Sequence, residues 1–163
     1  MISINIVMQR KRILAQLLGE SEMKTILVPI DGSDNSMRAF DYAIAQIEHG
    51  PVTIHILNVE PPLDDYGMVR SYLSRQQHAK AMKARADEVL RQAMRRVGSK
   101  QVQCKTHAAI GDVATTIVAT ARRLRCESIM MGTRGMSSLG NLLLGSVATK
   151  VIHLAKVPVT LVK

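Results

Sequence analysis

The stretch that indicates the fold is residues 25–36, TILVPIDGSDNS. Residues 25–30 form a nearly continuous apolar run, which is typical of a strand buried on both faces of a parallel sheet. Residues 31–36 form a polar turn and helix-cap cluster. Apolar residues then recur at helical spacing over residues 37–48, so this region predicts a strand that leads directly into a helix.

The same alternation of strand and helix continues to the C-terminal end. Strands are predicted at residues 25–30, 52–59, 101–110, 128–131 and 157–162, and helices at 37–48, 69–97, 113–125 and 146–155. Asp112 can cap the third helix. Pro158 favours an edge position for the last strand, because proline cannot donate to a central ladder. The pattern predicts one α/β domain over residues 23–163, a doubly wound five-stranded parallel sheet with helices on both faces.

Residues 1–22 differ from this domain, because they contain a basic, helix-prone segment at 9–18 (QRKRILAQLL). Two interpretations stay open, a short helix and a poorly ordered N-terminal extension. The segment lacks the residue order of a secretory signal, and no apolar run reaches the ~18 residues that span a bilayer. The two cysteines, Cys104 and Cys126, show no metal-ligand spacing. We therefore expect a cytoplasmic protein with no membrane contact.

The chain is strongly basic, with a formal net charge of +9 and a pI of about 10.0. Most of this charge falls between Arg70 and Lys100, where nine basic residues accompany two acidic ones. A basic surface attracts polyanions in general, ATP included. Aromatic residues make up only 2% of the chain and do not alternate with basic residues. This composition disfavours a dedicated nucleic-acid site.

A glycine-spaced loop is the strongest candidate for a binding site. Gly132 and Gly135 follow the predicted fourth strand, and after nine intervening residues Gly145 and Ser146 open the last helix. Glycines allow close approach of a ligand to the backbone, and a helix start offers free N–H groups and the positive end of the helix dipole. The spacing therefore indicates an anion site, to which Arg134 could add a guanidinium contact.

Asp31 is the second candidate, at the carboxyl end of the first strand. Its carboxylate could accept hydrogen bonds from a ribose or help to hold a phosphate-bound metal ion. An ordinary role as a turn or cap residue is an equally good interpretation.

These two loops and three further segments resemble the universal stress protein family. The matching segments are VPIDGS at residues 28–33, NV at 58–59, MGTRG at 131–135, LGSVA at 144–148 and VPVTLV at 157–162. The family's ATP-binding branch is marked by glycine, two residues, glycine, nine residues, and glycine with Ser or Thr. Gly132, Gly135, Gly145 and Ser146 meet this spacing. Asn58 departs from the pattern, because many relatives have His there, and so does Cys126-Glu127-Ser128, where many have Asp.

The resemblance implies a sheet of order 3-2-1-4-5, a homodimer formed through residues 157–162, and ATP as the ligand, with Mg²⁺ bound through its phosphates near Asp31. It also implies roles for ten residues. They are Asp31 near ribose and phosphates, Pro29 and Val59 in the adenine pocket, Met131 and Gly132 beneath the nucleotide, and Arg134, Gly135, Gly145, Ser146 and Val147 around ribose and phosphates.

The expected function is that of an ATP-binding regulatory or sensor module without efficient turnover. The chain contains no Gly-Lys-Ser/Thr motif, which P-loop enzymes need, and no nucleophile elbow. Its five histidines are scattered, so we interpret them as structural or surface residues. Two alternatives stay open. One is slow ATP hydrolysis or self-phosphorylation at Thr133, Ser137, Ser138 or Ser146, and the other is a basic scaffold for an acidic partner or nucleic acid.

Overall fold

Five parallel strands form one sheet in the order β3-β2-β1-β4-β5. The computed structural model describes residues 23–49, 51–62, 75–135 and 144–163. The strands are β1 (Lys24–Pro29), β2 (Val52–Glu60), β3 (Gln103–Ile110), β4 (Ser128–Gly132) and β5 (Val159–Val162). The predicted α/β class and strand order are confirmed. The direction of winding reverses between β1 and β4, where a doubly wound sheet binds its ligands.

Four α-helices connect the strands: α1 (Asp34–Ala45), α2 (Arg75–Val97), α3 (Val113–Arg123) and α4 (Ser146–Leu154). A short 3-10 helix, Gln46–His49, follows α1. The structure corrects several predicted ends. Helix α1 starts at Asp34 and not at residue 37, because the Ser33 side chain accepts a hydrogen bond from the N–H of Ser36 and caps the helix there. Helix α3 ends at Arg123, since Arg125 adopts a left-handed backbone with φ of 54°.

The edge strands are shorter than predicted at their starts. Strand β3 begins at Gln103 and not at residue 101, and β5 begins at Val159, directly after Pro158. The prediction of an edge position for the last strand is confirmed, because β5 pairs with β4 alone among the described strands.

Two hydrophobic layers cover the two faces of the sheet. On one face, Ile26, Val28 and Ile54 pack with residues of α1 and α2. On the other face, Leu27 and Ile129 pack with residues of α3 and α4. Side chains alternate between the faces along each strand, so both layers draw on the same strands.

Some predictions fall outside the described residues. They concern the extension at residues 1–22, the part of the predicted second helix before residue 75, and the hydroxyl groups of Ser137 and Ser138. Among the helices that the structure describes, none combines the length and the apolar character needed to cross a membrane.

Candidate functional site

A cavity of about 620 Å³ lies at the carboxyl ends of the strands. Its walls come from the ends of β1, β2 and β4 and the residues that follow them, from α3 and the start of α4, and from one residue each of α1 and α2. All ten residues that the sequence predicted for the site line this cavity: Pro29, Asp31, Val59, Met131, Gly132, Arg134, Gly135, Gly145, Ser146 and Val147. The structure thus brings them together, while their individual roles toward a ligand stay predictions.

Asp31 lines the cavity two residues after the end of β1. Its Oδ1 accepts hydrogen bonds from the N–H of Ser33 at 2.9 Å and from the Ser33 hydroxyl at 2.6 Å. The helix cap of α1 is Ser33. Asp31 therefore orients the capping residue and does not cap the helix itself, so the turn interpretation describes part of its role. These bonds hold the carboxylate in place at the cavity.

The two glycines after β4 allow two different close approaches. A Cβ at Gly132 would lie 2.8 Å from the backbone carbon of Asn35, so this glycine lets β4 pass the start of α1. A Cβ at Gly135 would lie 2.5 Å from Oδ2 of Asp31. Gly135 thus brings the loop backbone up to the carboxylate. The first glycine serves the packing of the fold, and the second shapes the cavity.

The start of α4 is open toward the cavity. Helices α1 and α3 have side-chain caps, from Ser33 and Asp112, whereas Gly145 at the start of α4 supplies no side-chain cap. Ser146 and Val147 in the first turn of α4 line the cavity. Backbone N–H groups of this turn have no partner within the helix, and the positive end of the dipole lies here. The arrangement favours an anion.

Thr133 and Arg134 connect this helix start to the rest of the sheet. The N–H of Thr133 donates to the carbonyl of Val162 in β5 at 3.0 Å, and the N–H of Gly145 donates to the carbonyl of Thr133 at 2.8 Å. Arg134 lines the cavity, and its buried Nε has no hydrogen-bond partner among the residues that the structure describes. A buried guanidinium N–H without an acceptor is costly, so an anionic ligand would stabilise it.

The end of β2 forms the opposite part of the cavity. Leu57 and Val59 give it an apolar wall together with Val113 and Ile117 of α3. The Nδ2 of Asn58 donates to the carbonyl of Ile30 at 3.0 Å, so this departure from the family pattern joins β2 to the end of β1.

Sequence reasoning missed two charged residues of the cavity, Glu60 and Arg85. Nε of Arg85 lies 3.7 Å from Oε1 of Glu60. The position of Glu60 directly after a predicted strand could have suggested it. Arg85 has no such signal, because it is one of many basic residues on a long helix and only the packing of α2 brings it here.

A histidine pair lies on the sheet outside the cavity. Nδ1 of His55 in β2 lies 2.8 Å from Nε2 of His107 in β3. Burial lowers the pKa of both rings, and the nearby cations Lys105 and Arg123 lower the pKa further, as does His107 for His55. Within the described part of the chain, no three His, Cys, Asp or Glu residues cluster as metal ligands.

The model of the Universal stress protein family matches residues 22–163 of the chain. The universal stress protein MJ0531 of Methanocaldococcus jannaschii is 32% identical over 152 residues, which cover 89% of this chain and 85% of that protein. The structure of the universal stress protein UspA from Lactobacillus plantarum superposes with a TM-score of 0.74 at 25% identity, over 88% of this chain and 99% of that one.

Two more distant solved structures share the fold and contain nucleotides. A universal stress protein in complex with cAMP has a TM-score of 0.58 at 24% identity, over 86% of this chain and 96% of its own. A universal stress protein family protein from Arabidopsis thaliana with AMP bound has a TM-score of 0.58 at 18% identity, over 86% of this chain and 91% of its own.

Proposed function

The chain belongs to the universal stress protein family, and we propose that it binds an adenine nucleotide, with ATP as the preferred ligand, and acts as a regulatory module without efficient turnover. The nucleotide complexes of two family members support an adenine nucleotide as the ligand. The preference for ATP rests on the glycine spacing of this chain and on the helix start that it creates.

The observation that carries the proposal is the open first turn of α4 in the same cavity as Gly135 and the buried Nε of Arg134. Each charge-assisted hydrogen bond to a phosphate contributes about 1.5–3 kcal/mol. Four or five such bonds contribute about 6–15 kcal/mol toward the cost of association and the ~8 kcal/mol that a micromolar dissociation constant requires. A longer phosphate chain makes more of these bonds, which is why ATP is favoured over AMP.

The order of the strands supports the orientation of the nucleotide. The phosphates would lie at the end of β4 and the start of α4, the ribose near Asp31 at the end of β1, and the base at the end of β2. Adjacent strands are about 4.8 Å apart, so β4 and β2 are separated by about 10 Å, which suits a nucleotide with its base at one end. Mg²⁺ would be held through the phosphates near Asp31.

A regulatory role fits the chain better than an efficient ATPase. P-loop enzymes place a lysine on the phosphates, and the sequence has no Gly-Lys-Ser/Thr motif. Slow hydrolysis or self-phosphorylation at Thr133 or Ser146 stays the alternative. The proposal includes pairing of two chains through the edge strand β5 and a cytoplasmic location, which the two free cysteines fit.

The basic-scaffold alternative is weakened by the ion pairs of α2. Arg91 and Arg95 both pair with Glu88, and Arg96 pairs with Asp41 of α1. Part of the positive charge on this helix is therefore already compensated within the fold.

The test begins with freshly purified protein, which is denatured by heat so that released nucleotide can be identified by chromatography. Emptied protein is then titrated with ATP, ADP and AMP in a calorimeter, and phosphate release with Mg²⁺ measures turnover. We expect tight ATP binding, slow or no hydrolysis, and loss of binding in Gly135→Val, whose side chain would collide with Asp31. Arg91→Lys is the control, because it alters an exposed side chain of α2 that does not line the cavity. Absence of nucleotide binding in the unaltered protein would refute the proposal, and rapid turnover would refute its regulatory part.

A further inference from the structure

Arg85 is the one charged side chain of α2 that lines the cavity among the described residues of that helix. We propose that it is a base-binding residue whose guanidinium plane packs against the base of the bound nucleotide. This inference rests on the proposed function, and it assigns to α2 a contact with the ligand that the glycine loop does not explain.

The pairing with Glu60 holds Arg85 at the cavity. The side chain of Glu60 is 8% exposed and that of Arg85 is 48% exposed, and Nε of Arg85 lies 3.7 Å from the carboxylate. A nearly buried carboxylate strongly favours a cation beside it. The ion pair therefore keeps the guanidinium at the mouth of the cavity, where an unpaired arginine would extend into water.

Arg85 lies near the place proposed for the base of the nucleotide, and far from the place proposed for the phosphates. Glu60 is the last residue of β2, and β2 is separated from β4 by β1 in the sheet order. The phosphates are proposed to lie at the end of β4 and the start of α4. The end of β2 is about 10 Å from the end of β4, because the two strands are two strand spacings apart. That distance places the base, and not the phosphate chain, beside Glu60 and Arg85.

The two faces of this part of the cavity suit a flat ring. Helices α2 and α3 cover opposite faces of the sheet, and α3 contributes the apolar side chains of Val113 and Ile117. No aromatic ring of the described residues lines the cavity, since Phe40 is buried in the core and Tyr42 lies elsewhere on α1. A guanidinium is planar, stacks on aromatic faces and attracts a π system. Arg85 thus supplies the stacking surface opposite the aliphatic wall.

The experiment compares Arg85→Lys, which keeps the charge but loses the plane, and Arg85→Gln, which loses both. Arg91→Lys is the matched control, because Arg91 lies on the same helix, pairs with Glu88 and does not line the cavity. Calorimetry measures the affinity of each variant for adenosine, AMP and ATP. Thermal unfolding confirms that each variant is folded.

We expect Arg85→Lys to lower the affinity for adenosine, AMP and ATP by the same factor, about five- to tenfold, because all three ligands share the base. Arg85→Gln should lower the three affinities at least as much, and Arg91→Lys should leave all three affinities unchanged. By contrast, Arg134→Gln should lower the affinity for ATP most, that for AMP less and that for adenosine least, since Arg134 lies at the end of the cavity where we propose the phosphates bind.

Each outcome decides one proposal. Unchanged affinities in both Arg85 variants, with ATP still bound by the unaltered protein, would overturn this inference alone. A loss that grows with the number of phosphates would also overturn it, because Arg85 would then contact phosphate. If the unaltered protein binds none of the three ligands, the proposed function fails and this inference fails with it.

Discussion

Gly132 and Gly135 are three residues apart in the same loop, yet a methyl group at each would meet different neighbours. At Gly132 the obstacle is the backbone of Asn35, which belongs to α1 and cannot move without shifting the helix. At Gly135 the obstacle is the end of the Asp31 side chain, which can move but is held by Ser33. The first position therefore affects stability, and the second affects the ligand.

We predict that Gly132→Ala lowers the free energy of unfolding by about 1–3 kcal/mol, as overpacked sites do. Gly135→Ala should change the free energy of unfolding little but lower the affinity for ATP, since it displaces the Asp31 carboxylate. Urea unfolding and ATP titration of the two variants measure both effects. Similar losses of stability in both variants would contradict the distinction.

The histidine pair makes stability depend on pH. Burial and the cations Lys105 and Arg123 keep the pKa of both rings below the ordinary value of 6.5. The unfolded chain therefore takes up protons before the folded chain does, so stability is full above about pH 6.5 and falls as the pH is lowered below it.

Urea midpoints measured from pH 8 to pH 5 should show this loss for the unaltered protein. The loss should be smaller in His107→Gln, which removes one of the two rings. His153→Gln, which changes an exposed side chain of α4, serves as the control and should keep the original profile. If the urea midpoint falls equally with pH in His107→Gln and in the unaltered protein, the pH dependence of stability belongs to other groups.

At the scale of the elements, Phe40 and Tyr42 show how one helix divides between core and surface. Both lie on α1, but Phe40 is 0% exposed within the layer against β1 and β2, whereas Tyr42 is 48% exposed. Phe40 is the only phenylalanine of a chain with no tryptophan, and truncation of its ring would leave a cavity in this layer.

Phe40→Ala should cost about 3–5 kcal/mol in the free energy of unfolding, which is typical of a truncated buried ring. Tyr42→Ala, on the same helix, should cost less than about 1 kcal/mol, because its ring is half in water. Denaturant unfolding of the two variants provides the comparison. Equal costs would mean that α1 does not pack as described.

The elements also show how far sequence reasoning reaches. Apolar runs and turn residues predicted all five strands, because buried parallel strands and short connections leave a strong local pattern. The order of the strands came from the family resemblance, since no local pattern records it. The local patterns misplaced the start of α1 by missing the cap at Ser33. The glycine spacing predicted Gly132, Gly135, Gly145 and Ser146, and the family resemblance extended the set to ten residues, all of which line the cavity. Neither predicted Arg85 or Glu60, since no local pattern records which residue of α2 packs beside the end of β2.

At the scale of the whole molecule, the cavity draws on β1, β2, β4, α3 and α4, which are distant in the chain. A ligand bound there contacts both halves of the sheet, and the unfolded chain has no such site. Binding should therefore stabilise the folded chain as a unit.

We predict that ATP at about 100 times its dissociation constant raises the free energy of unfolding by about 2.7 kcal/mol. Thermal unfolding across a series of ATP concentrations measures this effect, and the transition should stay single. The Gly135→Val variant should show no shift. A melting temperature that ATP leaves unchanged in the unaltered protein would argue against a nucleotide site.

The hydrogen bonds of Thr133 have a consequence for assembly. This one residue is hydrogen-bonded to Gly145 at the start of α4 and to Val162 at the end of β5, so the proposed phosphate site and the edge strand proposed to pair two chains share a single peptide segment. If phosphates tighten that segment, nucleotide occupancy and subunit association become linked equilibria. Linkage is reciprocal. The nucleotide would raise the association constant of the dimer by the same factor by which dimerisation raises the affinity for the nucleotide. Dilution, which dissociates the dimer, would then release ligand from the protein.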